Sequence, residues 1–215
     1  MSSPPTRDEV YLVARKATNV FRVQGLSCCL FGSAGCSLIG CTRTPNDVDI
    51  IVMSNEYTTE YLKELLVNNG KGFYKRASKK IDATYTVLYC RLSGYKRSCK
   101  VDILIPGILN IPFIASNRIE IIDGFPVLPL FPLLLMKLQG WSDHRASSRS
   151  DMQLKQYVDA RDLVELVAIA ARRGEHVDDG RWLPTSFLEL ATARVAAFVE
   201  AHRQPTNWRR IGFDV

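Results

Sequence analysis

The stretch CLFGSAGCSLIGCTRTPNDVDIIV, residues 29–52, places two aspartates inside an otherwise apolar segment. Asp47 and Asp49 are two residues apart, so the alternation of side chains along a β-strand puts both carboxylates on the same face. Two like charges on one face repel each other, and burying a charge without a partner is costly. The segment therefore predicts a strand over residues 47–53 whose two acids have a compensating partner.

A third acid, Asp102, lies in CKVDILIP, residues 99–106, again in the middle of an apolar strand pattern. If the two strands are near each other, all three carboxylates meet, and a divalent cation would stabilise the cluster. Mg²⁺ takes oxygen ligands and shares its shell with substrate phosphates, so the acids predict a site for Mg²⁺, or for Mn²⁺. The alternative is that these acids form ion pairs with nearby arginines.

Gly32 and Ser33 follow a predicted buried strand over residues 27–32 and precede a small-residue segment that predicts a short helix. A glycine lets a phosphate approach the backbone closely, and the following N–H groups and the serine hydroxyl supply hydrogen-bond donors. The segment has neither the Lys-[Ser/Thr] of a P-loop nor a G-x-G-x-x-G fingerprint, so the sequence supports neither of those two nucleotide-binding folds. An ordinary turn is the alternative interpretation.

The composition limits the kinds of protein to which the chain can belong but does not identify one of them. With 215 residues, of which 47% are hydrophobic, the chain can bury a core in one domain or in two closely packed ones. Its net charge of +6 suits a phosphate-rich partner, but a merely soluble basic protein has the same balance.

The cysteines and the apolar runs bear on the compartment. The six cysteines include no C-x-x-C pair and no metal-ligand spacing with the three histidines. The start of the chain has no apolar signal-peptide region, and the longest apolar run, 125–136, is broken by prolines and is too short to span a bilayer. We expect a cytoplasmic protein that does not enter a membrane, with the nucleus also open.

The remaining patterns predict an α/β (α+β) protein. Thr6-x-x-Glu9 is a capping box that predicts a first helix. The other predicted elements of the first part are a helix around Tyr61–Leu66 that ends at Asn68-Asn69-Gly70, an antiparallel pair at 83–91 and 98–104, and a hairpin at 118–128.

After Pro132 the pattern becomes helical, which divides the chain into a catalytic core, 1–129, and a helical C-terminal domain, 130–215. Residues 132–143 are rich in leucine and predict one helix. Ser150-x-x-Gln153 predicts the cap of a long helix to about residue 173, with Tyr157 on its core stripe, and Ser186-x-x-Glu189 predicts the cap of the last helix.

The order of these motifs resembles a known family. An apolar-Gly-Ser turn, then thirteen residues, then Asp-apolar-Asp, then a later apolar-Asp-apolar strand is similar to the nucleotidyltransferase superfamily of DNA polymerase β type. The resemblance implies a mixed sheet with flanking helices. It also implies metal ligation and catalysis by Asp47, Asp49 and Asp102, and a triphosphate-binding turn at Gly32 and Ser33.

The segment TRTPNDVDI, with Arg43 and Thr44 ahead of the acids, resembles small members such as the AbiEii toxins and the antibiotic nucleotidyltransferases. This resemblance implies that both residues contribute to nucleotide binding. Arg43 is a candidate phosphate ligand because it lies next to the acids in the sequence, although arginines are common in loops.

The helical part adds a second match, to the AbiEii-type Lys…Arg…Lys-Asp-x-x-Asp-Leu pattern. The matching residues are Lys137, Arg145, Asp159 and Asp162. The pattern has a basic residue just before its first acid, where this chain has Val158, and Lys155 would substitute on the same helical face. The match implies nucleotide binding by Lys137, Lys155 and Asp159. The alternatives are a snorkelling Lys137 and a salt-bridged surface face for the other residues.

The family resemblance implies transfer of an NMP from an NTP to an acceptor hydroxyl with release of pyrophosphate. RNA or tRNA, a protein and a small molecule are all open as acceptors, and so is the oligomeric state. Two groups of cations would line the path of a nucleic acid or form solvated hairpin faces. They are Lys71, Lys75, Arg76, Lys79 and Lys80, and Arg91, Lys96, Arg97 and Lys100.

Two other classes of function stay open. One is a catalytically inactive protein of the same fold that binds nucleotide or RNA, and the other is a protein-interaction module.

Overall fold

The structure is a computed structural model, and it describes residues 3–78 and 85–215. The chain forms two compact units, which divide between Leu128 and Pro129. The first unit combines helices and strands, and the second is helical.

The bounds of the elements are as follows. The first unit contains α1 (Arg7–Val23), β1 (Cys28–Phe31), α2 (Gly32–Ile39), β2 (Asp47–Val52), α3 (Thr59–Asn69), β3 (Phe73–Ala77), β4 (Thr86–Arg91), β5 (Ser98–Leu104), β6 (Glu120–Ile122) and β7 (Phe125–Val127). The second contains α4 (Leu130–Ala146), α5 (Ser150–Gln153), α6 (Lys155–Arg173), α7 (Thr185–His202) and α8 (Thr206–Arg210). Among the described residues, none of the helices is long and apolar enough to cross a membrane.

Within the described residues, the strands form one seven-stranded mixed sheet in the order β3-β4-β5-β2-β1-β7-β6. The pairs β2–β5 and β1–β7 are parallel, and the other neighbours are antiparallel. The predicted strands and the hairpin at 118–128 are confirmed. Strand β3 was not predicted, because its cations gave the appearance of a charged surface segment. Lys79, Lys80 and the start of the predicted strand 83–91 lie outside the described residues.

The two faces of the sheet differ in what they carry. One row of paired residues crosses four strands, from Lys75 through Leu88 and Val101 to Val48. Lys75 forms an ion pair with Glu64 of α3, so this row belongs to the face on which α3 packs. Leu88, Val101 and Val48 are fully buried there. The intervening residues of each strand point to the opposite face, which carries the acids.

Helix α1 begins as the sequence predicts. The Thr6 hydroxyl accepts a hydrogen bond from the backbone N–H of Glu9, and the backbone N–H of Thr6 donates to the Glu9 carboxylate at 2.8 Å. The same carboxylate accepts two hydrogen bonds from the Arg97 guanidinium, at 2.6 and 2.7 Å. Glu9 therefore links the start of α1 to the turn between β4 and β5.

All six cysteines are free and buried. Burial raises the pKa of the Cys28 thiol to about 12, and burial together with nearby negative charges has the same effect on Cys99. These thiols are therefore protonated at neutral pH and contribute to packing.

Three details of the helical unit differ from the prediction. Ser150 starts the short helix α5, and α6 begins at Lys155 without a side-chain cap, while Tyr157 is 61% exposed. The core stripe of α6 instead contains Asp159 and Asp162. Since residues two apart on a helix differ by about 200° in direction, turning Asp159 inward turns Tyr157 outward. Ser186 is also not a cap, because α7 begins at Thr185.

The Glu9 contacts generate a prediction about acid stability. The Arg97 hydrogen bond, followed by the bond from the Thr6 backbone, holds the pKa of Glu9 at about 2, below its ordinary 4.5. A carboxyl whose pKa is lower in the folded state stabilises the fold above its unfolded pKa, and this contribution is lost as the pH falls through the folded value. Glu9→Gln should therefore lower the Tm at neutral pH.

Thermal melts of wild type and Glu9→Gln should differ most above about pH 4.5, and the difference should disappear towards about pH 2. Asp8→Asn removes a charge from the same helical turn, at an exposed position, and should shift the Tm less. A Tm difference that does not change with pH would contradict the assignment.

Candidate metal and nucleotide site

The parallel pairing of β2 with β5 brings the three predicted acids together. Asp49 is the neighbour of Asp102 across this pair, and Asp47 is the neighbour of Lys100. One carboxylate oxygen from each of Asp47, Asp49 and Asp102 lies within 4.8 Å of the other two, and all three residues are half-buried.

Lys100 is a site residue that the sequence analysis did not assign to this cluster. Its ammonium donates a hydrogen bond to the Asp102 carboxylate. Partial burial by itself lowers the pKa of Lys100, but the bond to Asp102 and the charges of Asp102, Asp47 and Asp49 outweigh it and raise the pKa above its ordinary value. The sequence could have shown this, because Lys100 and Asp102 are two residues apart and such residues share one face of a strand.

The Gly32-Ser33 turn lies directly against the acids. Gly32 has a φ of +56°, and a Cβ built on it would lie 2.0 Å from the Asp49 Oδ2 atom. Both the backbone conformation and the space therefore require a glycine. The Ser33 hydroxyl donates a hydrogen bond to the Asp47 Oδ1 atom at 3.1 Å, and α2 begins at this turn.

The donor set fits a hard divalent cation. The group presents carboxylate oxygens, which are the ligands that Mg²⁺ and Mn²⁺ prefer. The Lys100 ammonium pairs with Asp102, and its charge also interacts with those of Asp47 and Asp49. A bound cation would further offset the repulsion among the three carboxylates. Three close aspartates can therefore bind a metal ion at this position.

The loop between α2 and β2 carries the two other predicted nucleotide-binding residues of the first unit. Arg43 is half-buried and Thr44 is exposed, and the loop leads directly into Asp47. Their contribution to nucleotide binding stays a prediction.

In the second unit, the predicted residues form a buried network. The Lys137 Nζ atom lies 2.8 Å from the Asp159 Oδ1 atom and 2.8 Å from the Asp162 Oδ2 atom. The side chains of these three residues are 11%, 10% and 2% exposed. Lys137 is therefore not a snorkelling lysine, and Asp159 and Asp162 do not lie on a salt-bridged surface face.

His144 completes this network and was not predicted. Its Nδ1 atom lies 2.5 Å from the Asp159 Oδ2 atom. It follows Lys137 by seven residues, so the two share a face of α4, which is the signal that a sequence analysis could have used. Lys155, predicted beside Asp159, is exposed at the first residue of α6. Arg145 lies with its guanidinium 5.3 Å from the Trp141 ring.

Comparisons with known proteins bear on the fold. No protein-family model matches the chain, and no curated protein matches its sequence. The chain is similar to the crystal structure of an antigenic nucleotidyltransferase-like protein from Paracoccidioides brasiliensis, with a TM-score of 0.64 and 14% sequence identity. The match covers 99% of this chain and 96% of that chain. The chain has a nucleotidyltransferase-like fold.

This result confirms the predicted fold class, a mixed sheet with flanking helices followed by a helical part. The nucleotidyltransferase-like fold does not identify the subfamily, so the AbiEii-type resemblance stays a prediction.

The contact between Gly32 and Asp49 generates a prediction. Gly32→Ala should destabilise the fold through its positive φ, by about 1–2 kcal/mol, and by about 1–3 kcal/mol more because the new methyl group displaces Asp49. Gly25→Ala is the matched control, since Gly25 has a φ of +72° with no atom within 4 Å of an added Cβ.

Urea denaturation of the two variants should show the larger loss for Gly32→Ala. The same variant should also lose the increase in Tm on addition of Mg²⁺, and Gly25→Ala should keep it. Equal effects of the two substitutions would mean that the close approach of Gly32 to Asp49 has no role.

Proposed function

We propose that this protein is a metal-dependent nucleotidyltransferase, which moves an NMP from an NTP to an acceptor hydroxyl and releases pyrophosphate. One observation carries the proposal: three carboxylates from two neighbouring strands converge within 4.8 Å, directly against the Gly32-Ser33 turn. The nucleotidyltransferase-like fold supports it.

Asp47, Asp49 and Asp102 would hold the Mg²⁺ or Mn²⁺ ion. When bound, the cation supplies positive charge that orients the triphosphate and offsets the charge developing on the leaving pyrophosphate. Lys100 holds Asp102 through its hydrogen bond and so positions this carboxylate in the cluster.

The triphosphate would lie at the start of α2. Gly32 presents no Cβ there, so a phosphate oxygen can approach the backbone N–H groups of the first turn. The Ser33 hydroxyl can rotate from Asp47 to donate to a phosphate oxygen. Arg43 and Thr44, in the loop that precedes β2, would add further contacts.

The AbiEii-type resemblance adds Lys137, Lys155 and Asp159 as nucleotide-binding residues from the second unit. Two carboxylates hold the Lys137 ammonium there.

The transfer step can be written for the residues of this chain. The acceptor hydroxyl oxygen attacks the α-phosphorus of the NTP and forms a new O–P bond. The bond from the α-phosphorus to the oxygen that bridges it to the β-phosphorus breaks, and pyrophosphate leaves with that electron pair. The hydroxyl proton passes to the Asp102 carboxylate, which acts as the general base.

Thermal melts with a non-hydrolysable NTP separate this proposal from its two alternatives. A rise in Tm that requires Mg²⁺ together with the NTP supports the transferase. A rise without Mg²⁺ favours an inactive nucleotide-binding protein, and no rise favours a protein-interaction module. Incubation with labelled NTPs and a cell extract then tests transfer and identifies the labelled acceptor.

Asp49→Asn should abolish transfer and leave the fold intact, or slightly more stable without metal. The amide relieves repulsion among the carboxylates but is a poor ligand for Mg²⁺. Asp143→Asn, which makes the same change at an exposed position of α4, should keep full transfer. Unchanged turnover in purified Asp49→Asn would overturn the assignment of the metal site.

Ser33→Ala should weaken NTP binding by about 1–2 kcal/mol, or about 5- to 30-fold, because one of several donors to the phosphates is lost. Mg²⁺ binding should change less. Ser37 lies one turn after Ser33 in α2, and its hydroxyl accepts a hydrogen bond from Tyr11. Ser37→Ala is therefore the control. Isothermal titration calorimetry measures the NTP affinity of wild type and of the two variants. An unchanged NTP affinity in Ser33→Ala would mean that Gly32-Ser33 is an ordinary turn.

A further inference from the structure

A row of side chains connects the metal site to the edge of the sheet. Across four adjacent strands, Asp47 pairs with Lys100, Lys100 with Tyr89, and Tyr89 with Tyr74. Paired residues of neighbouring strands point to the same face, so this row shares the face of the carboxylates. With about 4.8 Å between strands, it extends about 14 Å from Asp47 to Tyr74.

The outer end of the row is a stack of flat groups. The rings of Tyr74 and Tyr89 lie 5.8 Å apart at an angle of 24°. The Arg76 guanidinium lies 5.1 Å from the Tyr74 ring and 5.5 Å from the Tyr89 ring. The Arg91 guanidinium lies 5.0 Å from the Tyr74 ring. We call these four residues the tyrosine–arginine platform.

The two arginines of the platform carry positive charge that no described carboxylate pairs with. Lys75, next to Arg76 in β3, points to the opposite face and pairs with Glu60 and Glu64. In contrast, within residues 3–78 and 85–215, no carboxylate forms an ion pair with Arg76 or Arg91. Both arginines are exposed, and the two tyrosines are half-buried.

We propose that the tyrosine–arginine platform binds the single-stranded end of a nucleic-acid acceptor and directs its 3′-hydroxyl to the carboxylates. The inference rests on the proposed function and names its acceptor. Unpaired bases stack on tyrosine rings and on guanidinium planes, and phosphates pair with arginines. A polycationic small molecule would be repelled by Arg76 and Arg91, and the stacked bases of a duplex are not accessible to the platform.

In this reaction the 3′-terminal oxygen of the strand forms the new bond to the α-phosphorus of the NTP. The bond to the β-phosphate oxygen breaks, and pyrophosphate leaves with its electron pair. The proton of the 3′-hydroxyl passes to Asp102. The strand is thereby extended by one nucleotide.

Acceptor binding can be measured without transfer, by fluorescence anisotropy of a labelled, mixed-sequence, short single-stranded RNA in EDTA and without NTP. Tyr74→Ala and Tyr89→Ala should each weaken binding by about 5- to 150-fold, which is the loss expected for one stacked base. Tyr74→Phe and Tyr89→Phe keep the aromatic ring and should bind like wild type. Thermal melts establish that each variant is folded.

The salt dependence tests the arginines. Arg76→Gln and Arg91→Gln should each lower the slope of log K against log salt by about 0.7, the value for one phosphate contact of a single strand. Lys75→Gln removes one charge from the same strand on the opposite face, and it should leave the slope unchanged. Equal slopes for Arg76→Gln and Lys75→Gln would overturn the proposal.

The competing nucleic acids complete the test. A duplex of the same sequence should bind more weakly than the single strand, and tighter duplex binding would overturn the platform. Equal binding of single-stranded DNA and RNA would mean that stacking and charge alone account for the affinity. Tighter binding of RNA would indicate further contacts to the 2′-hydroxyl.

The two proposals fail in different ways. If platform variants lose RNA binding but no nucleotide is transferred, the platform stands and the transferase proposal fails. If Mg²⁺ and NTP raise the Tm and nucleotide is transferred, but RNA binding is the same in wild type, Tyr74→Ala and Tyr89→Ala, the acceptor assignment fails alone.

Discussion

The first unit must offset the repulsion among Asp47, Asp49 and Asp102, because the parallel β2–β5 pair holds the three carboxylates within reach of one another. The opposite face of the same strands holds this register in place. Val48 and Val101 are fully buried there, and a slip of one residue would place acids in the core and valines at the surface. The favourable free energy of burying the apolar face therefore offsets the repulsion between carboxylates on the opposite face.

Two devices limit the cost of this repulsion before any cation binds. Lys100 supplies a positive charge from within the cluster, and its hydrogen bond to Asp102 keeps that charge in place. Gly32 leaves the space that the Asp49 carboxylate occupies, so the start of α2 can approach the acids. A cation held by the three carboxylates would offset the repulsion that these two features leave.

Charge is balanced differently in the second unit. Lys137 is buried between Asp159 and Asp162, and His144 bonds to Asp159. Removing one member of a buried ionic group leaves the others uncompensated, which is costlier than the loss of a surface pair. This network explains why α6 turns its acids towards the core. Its side chains are largely shielded from solvent, in contrast to the exposed arginines of the platform in the first unit.

Features that depend on local periodicity can be predicted from the sequence. Alternation places Asp47 and Asp49 on one face of β2, and the Thr6-Glu9 pair forms the predicted capping box. Which distant residues become neighbours depends on how the elements pack together. The stacking of Tyr74 on Tyr89 requires the register of β3 with β4, and Lys137 reaches its acids through the packing of α4 on α6. These contacts depend on the free energy of packing between separate elements, which no pattern within a single element records.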